Sequence, residues 1–324
     1  MPDVVNLGFI GCGGNARGHM ANVTKVPGAK IVGVCDVVPE LAQKAAKDFN
    51  AEPYSDHRKM LERKDLHAVY ISIPVFAHGA PEQDTIARGL PFLVEKPVAL
   101  DLATAKKVEQ AVKAKKIMTC VGYQLRYTGA ADIAKETLAG KEVGMVVGKY
   151  WCGTGRGDAG RWLRQMAKSG GQLLEQATHT IDMMRYLMGD VSEVFAVQAS
   201  RVLHDIDCPD MNVVAMRFAS GAVGSLTTCW ALDPRDWAEA NILDILYDDK
   251  RMHWTSGKVT HARDGKTEEE TRPGKQIDAV FIEAVRTGDP SPIRSDYSDG
   301  VKSMAISIAA NESGRTGKAA KVKV

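Results

Sequence analysis

The chain has 324 residues, of which 44% are hydrophobic and 25% charged, and a formal net charge of +2. That length exceeds what one hydrophobic core usually serves, so two domains are expected. So small a net charge argues against nucleic acid or an anionic membrane as partner, and no apolar run is long enough to span a bilayer.

Strands and helices alternate through the first third. The runs "VVNLGFIG" (4–11), "AKIVGVCD" (29–36), "AVYISIP" (68–74), "PFLVEKP" (91–97) and "IMTCVGY" (117–123) are near-continuously apolar. Parallel strands covered on both faces read this way. Helices are predicted between them, over 16–26, 39–48, 79–88 and 103–115. Pro39 suits a first helical turn and Gly89 a helix stop. The alternation predicts a doubly wound α/β sheet over residues 1–123. Because Val4 to Ile10 reads as a strand and not as a leader core, a cytoplasmic protein is expected. Six scattered cysteines without a Cys-x-x-Cys pair suggest neither a zinc site nor a disulfide scaffold, so no metal is expected.

The rhythm changes after about residue 125. A long helix is predicted over 171–188, then extended runs at 193–202, 212–220, 222–232 and 241–249. This predicts an α+β domain over 124–324, with a largely antiparallel open sheet. Residues 261–275 read as a polar loop or edge hairpin. A closing helix at 299–315 is expected to pack back toward the first domain. Apolar residues on both sides of "VVAMRF" and "LTTCWAL" predict that the open sheet face is buried against another copy, giving a homodimer or homotetramer.

Chemistry first shows in "GFIGCGGNARGHM" (8–20). Gly11-x-Gly13-x-x-Ala16 follows a strand and opens a helix. Gly11 can take a sharp turn, Gly13 clears space for a diphosphate, and Ala16 allows close helix–strand packing. The free N–H groups of Gly13, Gly14 and Asn15, with the helix dipole, would hold the phosphates. Twenty residues past Ala16, Asp36 ends the second strand, where a carboxylate can accept from an adenosine ribose. With Val37 and Val38 following and no cation, NAD is favoured over NADP. Ligands of such sheets lie beyond the carboxyl ends of the strands, which places Pro74, His78, Glu95 and Lys96 on the cofactor side. His78 reads equally as a helix cap, and Lys96 as a surface ammonium paired with Glu95.

In "GGQLLEQATHTIDMMRYLMGD" (170–190), Glu175, His179 and Asp182 stack at i, i+4 and i+7, opposite an apolar stripe. Spacing alone leaves a solvent face and an oriented acid–base pair both open. "YWCGTGRGDAGRW" (150–162) reads as a loop whose Trp151, Arg156, Arg161 and Trp162 suit either a sugar site or an ordinary structural loop.

Taken with "AVYISIPVFAH", "VEKP", "GYQLRY" (122–127) and "FIEAVRTGDPSPIRSDYSDG" (281–300), these motifs resemble the Gfo/Idh/MocA family over essentially the whole chain. The resemblance implies a Rossmann domain, a second α/β domain, a held nicotinamide cofactor and sugar or cyclic polyol substrates bound between the domains. It assigns Lys96 as the catalytic lysine, His179 as the histidine at the reacting hydroxyl, and Arg126 and Tyr127 as pocket residues. Glu175 stands where the family usually has aspartate. A sugar or polyol dehydrogenase is the expected activity. The alternatives are an NAD-retaining glycosidase or isomerase, and a non-catalytic dinucleotide-binding sensor.

Overall fold

The computed structural model describes residues 4–154, 161–263 and 265–324. Contacts divide the chain into two compact units, Met1–Gly122 with Lys275–Val301, and Tyr123–Gly274 with Lys302–Val324. The second unit is therefore not the uninterrupted stretch 124–324 expected from sequence.

The first unit is built on strands β1 (Val5–Ile10), β2 (Ala29–Cys35), β3 (Glu52–Tyr54), β4 (Ala68–Ile71), β5 (Phe92–Val94) and β6 (Thr119–Val121). They form one six-stranded parallel sheet in the order β3-β2-β1-β4-β5-β6. Helices α1 (Gly14–Val23), α2 (Pro39–Phe49), α3 (His57–Leu61), α4 (Ala80–Ala87) and α5 (Leu102–Lys115) connect them. The doubly wound expectation holds. The sequence reading missed β3 and α3, which at three and five residues are too short to show a period.

In the second unit, α6 (Gly129–Leu138) precedes β7 (Val143–Trp151), α7 (Met166–Ser169), α8 (Gly171–Glu175) and α9 (Thr178–Met188). Strands β8 (Val191–Ala199), β9 (Met211–Phe218), β10 (Val223–Cys229), β11 (Ala240–Tyr247), β12 (Lys250–Trp254), β13 (Val259–Arg263) and β14 (Lys266–Glu270) follow. Helix α10 (Ile277–Thr287) belongs to the first unit, α11 (Tyr297–Thr316) is divided between the two, and β15 (Ala320–Lys321) closes the second. The nine-stranded sheet runs β14-β13-β12-β11-β7-β10-β9-β8-β15. Only β7 and β10 pair in parallel, so the sheet is mixed and mostly antiparallel, as expected. Strand β7 lies near its centre, although its end was read as part of a loop. Gly144 and Gly148 weaken the strand signal there.

The predicted helix 171–188 is two helices. Gln172 and Gln176 turn into the sheet instead of continuing one regular spiral. Gln172 donates from Nε2 to the Cys229 carbonyl at 2.7 Å and accepts at Oε1 from Thr228 Oγ1 at 2.7 Å. Gln176 Oε1 accepts from the Trp230 indole and from Cys152 Sγ. At the same place the Ala177 N–H reaches back five residues to the Gln172 carbonyl, at 2.9 Å. Helix α9 then lies close on the sheet because Gly148 and Gly224 leave room for Met184. A Cβ on Gly148 would stand 2.8 Å from the Met184 sulfur. Alternation puts Val146, Val214, Met216, Leu226 and Ile245 in this core. Each such side chain buried contributes about 1.5–3 kcal/mol. The opposite sheet face carries the exposed Met145, Val147, Phe195, Val197, Val213 and Leu246.

Candidate active site

The first unit holds a cradle at the start of α1. Gly11 has φ +97°, and a Cβ there would lie 2.0 Å from the Ser72 carbonyl oxygen, so only glycine fits the turn. Gly13 is the N-cap of α1, and no side chain caps the helix. A Cβ on Gly13 or Gly14 would meet nothing within 4 Å, and neither residue has positive φ. Packing within the protein therefore does not explain glycine at these two positions, whereas a ligand lying on the exposed amides does. Asn15 is exposed beside them and Ala16 is fully buried against the sheet. The Asp36 carboxylate is fixed at the end of β2. Its Oδ2 accepts the Cys12 N–H at 2.8 Å and its Oδ1 accepts the Val38 N–H at 2.9 Å. A carboxylate has about four acceptor sites, so capacity remains for a diol. These residues fit a dinucleotide. Burial raises the Cys12 and Cys35 thiols to about 12, so neither is a nucleophile at neutral pH.

Farther along the same sheet edge the structure revises the sequence reading. Pro74 opens a single 3₁₀ turn, Val75–Ala77. The His78 ring is enclosed, with Nδ1 2.6 Å from Glu82 Oε1 and a side chain only 1% exposed. Glu82 Oε2 also accepts the Gly79 N–H at 2.6 Å. His78 is thus locked to the start of α4 and does not stand open on the cradle. Glu95 does not lie at the surface. It is buried, with Oε1 2.8 Å from His19 Nε2 and Oε2 accepting the Lys96 N–H at 3.1 Å. His19 Nδ1 lies 2.6 Å from Asp278 Oδ1, and Asn22 Nδ2 donates to Asp278 Oδ2 at 3.0 Å. Lys96 itself is half-buried at the end of β5.

Burial by itself would push the His19 imidazolium down. The hydrogen bonds to Asp278 and Glu95 outweigh it and raise the ring from 6.5 to about 10. The pairing therefore stabilises the fold fully below pH 6.5, and that contribution is lost as pH rises through about 10.

In the second unit, Glu175 ends α8 and His179 lies in the first turn of α9, both half-buried. The break at Gln176 and Ala177 means that they do not share one continuous helix face. The Tyr123 ring stands edge-on to His179 at 6.2 Å and 87°, and the Tyr123 hydroxyl pairs with Thr178 Oγ1 at 3.0 Å. Asp182 is corrected from a site residue to a core one. It is fully buried, takes Arg126 Nε at 2.8 Å and Nη2 at 2.6 Å, and accepts from Ser303 Oγ at 2.6 Å. Arg126 is 2% exposed, and its guanidinium also stacks on Tyr186 at 4.7 Å. Tyr127 is 1% exposed. Asp182 and the two expected pocket residues, Arg126 and Tyr127, are thus turned inward.

Trp151 sits on the outward sheet face, donating to Thr227 Oγ1 at 3.1 Å, while the helices lie on the other face. Strand alternation excludes it from a pocket shared with His179. Arg161 is exposed, Trp162 packs on the cluster of Tyr150, Cys152 and Trp230, and Arg156 lies outside the described residues. Among the described residues no group of three or more His, Cys, Asp or Glu could hold a metal, and no helix is long and apolar enough to cross a membrane. Sequence reasoning missed His19, Asp278, Gln172 and Gln176. His19, Gln172 and Gln176 lay inside motifs already singled out, and only Asp278 lay outside them.

Residues 5–123 match the oxidoreductase family with an NAD-binding Rossmann fold, and residues 133–245 match the GFO/IDH/MocA C-terminal domain. The chain belongs to the Gfo/Idh/MocA family, and its first unit is an NAD-binding Rossmann domain. It is 30% identical to scyllo-inositol 2-dehydrogenase (NAD(+)) of Bacillus subtilis over 70% of this chain and 67% of that protein. It is 29% identical to levoglucosan dehydrogenase of Pseudarthrobacter phenanthrenivorans over 68% of this chain and 66% of that protein. The chain thus spans about two thirds of the length of these relatives. Its fold matches the crystal structure of the WlbA dehydrogenase from Bordetella pertussis in complex with NADH and UDP-GlcNAcA, with a TM-score of 0.85 and 22% identity, covering 99% of each chain.

Proposed function

We propose that this chain is an NAD-dependent dehydrogenase acting on a secondary hydroxyl of a sugar, sugar acid or cyclic polyol. The observation that carries the reading is the uncapped cradle at Gly13 and Gly14 beside the fixed carboxylate of Asp36. The names of the inositol and levoglucosan relatives support the substrate class. When bound, NAD supplies the hydride acceptor. Lys96 donates from its ammonium to the substrate oxygen and stabilises charge developing there. His179 takes the hydroxyl proton on its imidazole, and Glu175 is assigned to orient that ring. Asp36 holds the adenosine ribose and repels a 2′-phosphate, so NAD is preferred over NADP.

The test is NAD reduction against a panel of cyclic polyols, neutral sugars and uronic acids. Turnover on at least one polyol or sugar is expected. Tight NAD binding with no turnover across the panel would replace this reading with a dinucleotide sensor. Preference for the uronic acids would point to a cationic contact such as Arg161.

The outward sheet face is proposed to pair with a second copy of the chain. Its exposed valines, Met145, Phe195 and Leu246 span five adjacent strands, and a contiguous apolar patch of this kind suits a self-complementary interface. Light scattering at micromolar concentration should give a dimer or tetramer mass, and a monomer mass would count against the pairing.

A further inference from the structure

Behind the Glu-Lys-Pro strand end lies a buried charge cluster that the proposed chemistry does not use. His19, on the second turn of α1, places one ring nitrogen 2.8 Å from Glu95 at the end of β5 and the other 2.6 Å from Asp278 on α10. Both carboxylates are buried, with Asp278 fully enclosed. Glu95 spends its second oxygen on the backbone N–H of Lys96, at 3.1 Å. A Cβ on Gly122, just past β6, would stand 2.9 Å from that same oxygen, so glycine at this position leaves the carboxylate its room. Tyr70, from β4, packs its ring 5.6 Å from the imidazole. Neutral Asn22 completes the shell around Asp278, donating at 3.0 Å.

One imidazole thus ties three elements of the first unit together. They are the helix whose start forms the diphosphate cradle, the strand end that carries Lys96, and a helix from the returning segment. Two buried carboxylates facing one gap are tolerated only with a cation between them. Without it, one of them must take a proton or swing away. Asp278 is held in place by Asn22. Glu95 is the one whose movement changes the backbone of Lys96.

We propose that His19, held between Glu95 and Asp278, is a positioning residue for Lys96: it fixes the carboxylate that fixes the main chain from which the ammonium is presented. Only the consequence for turnover rests on the dehydrogenase reading above. The placement of Lys96 does not.

The experiment therefore has one arm that needs no substrate. Competitive acetylation by trace acetic anhydride, read by mass spectrometry, reports the reactivity of Lys96 against exposed Lys113 as internal standard. His19→Gln keeps an amide of similar size but removes the charge. In folded His19→Gln protein, Lys96 reactivity should change by more than about threefold, the change in free-amine fraction that half a pKa unit makes. A smaller change overturns the proposal, even if turnover falls. Should His19→Gln fail to fold, Asp278→Asn is read by the same criterion. In the kinetic arm, kcat should fall by about ten- to a hundredfold with polyol KM little moved, as expected when a reacting group is misplaced by a fraction of an ångström. A change confined to KM overturns the proposal. A wild-type protein that oxidises no polyol sinks the dehydrogenase reading, and the acetylation arm still decides the role of His19.

Discussion

Lys96→Ala should lower turnover by at least about a hundredfold, the low end of what a positioned acid–base group contributes, while NAD affinity stays within about twofold of wild type. The two halves of this expectation come from different parts of the first unit. The proposed NAD contacts are the main-chain amides at the start of α1 and the Asp36 carboxylate at the end of β2, on other elements than the strand end that carries Lys96. Lys96 lies at the end of β5, half-buried, with its backbone N–H already taken by Glu95. Truncating its side chain removes an ammonium and leaves that backbone bond intact, so the fold should survive. Steady-state kinetics on the best substrate of the polyol panel, with NAD titrated by fluorescence, checks both halves. Near-wild-type turnover would remove Lys96 from the chemistry.

Arg126→Met should destabilise the second unit by about 3–5 kcal/mol, the usual cost of leaving one member of a buried ion pair alone. For a unit of this size that amounts to a fall of roughly 10 °C in Tm. The reason is the company Asp182 keeps. Its carboxylate is fully buried, and of the three short bonds described above, the guanidinium supplies two and Ser303 the third. Loss of the guanidinium removes the cation that balances a fully buried carboxylate. The double variant Arg126→Met with Asp182→Leu should recover much of the loss, because an apolar pair of similar volume removes both desolvation costs. Calorimetry on the two variants separates the outcomes. Equal melting for wild type and Arg126→Met would show that the pair is not a keystone of this core.

Much of this molecule was legible from one-dimensional pattern, and the parts that were not share a cause. Strands β1, β2 and β4 announce themselves because a covered parallel strand is apolar along its whole length. The cradle is legible because its residues are contiguous and each glycine has a local reason. The Glu175, His179 and Asp182 spacing was less informative. Helical periodicity placed them on one face, but it carries no knowledge of Gln172 and Gln176, whose bonds to the sheet end α8 early. Nor can it see that the face holding Asp182 is turned toward Arg126, 56 positions away in sequence. Trp151 was misplaced for a related reason. Aromatic and cationic residues near glycines read as a pocket loop, whereas strand parity sends that indole to the outward face. Asp278 was beyond reach, since its partner His19 lies 259 positions earlier.

The return of residues 275–301 to the first unit sets a rule for recombining this protein with its cousins. A chimaera spliced once, after Gly122, would import a foreign acid, or none, opposite His19 and leave α1 and β1 without the helix that covers them. Exchanging specificity between family members by shuffling lobes therefore calls for at least three junctions, near 122, 274 and 301, the last of them inside a continuous helix whose register has to be kept.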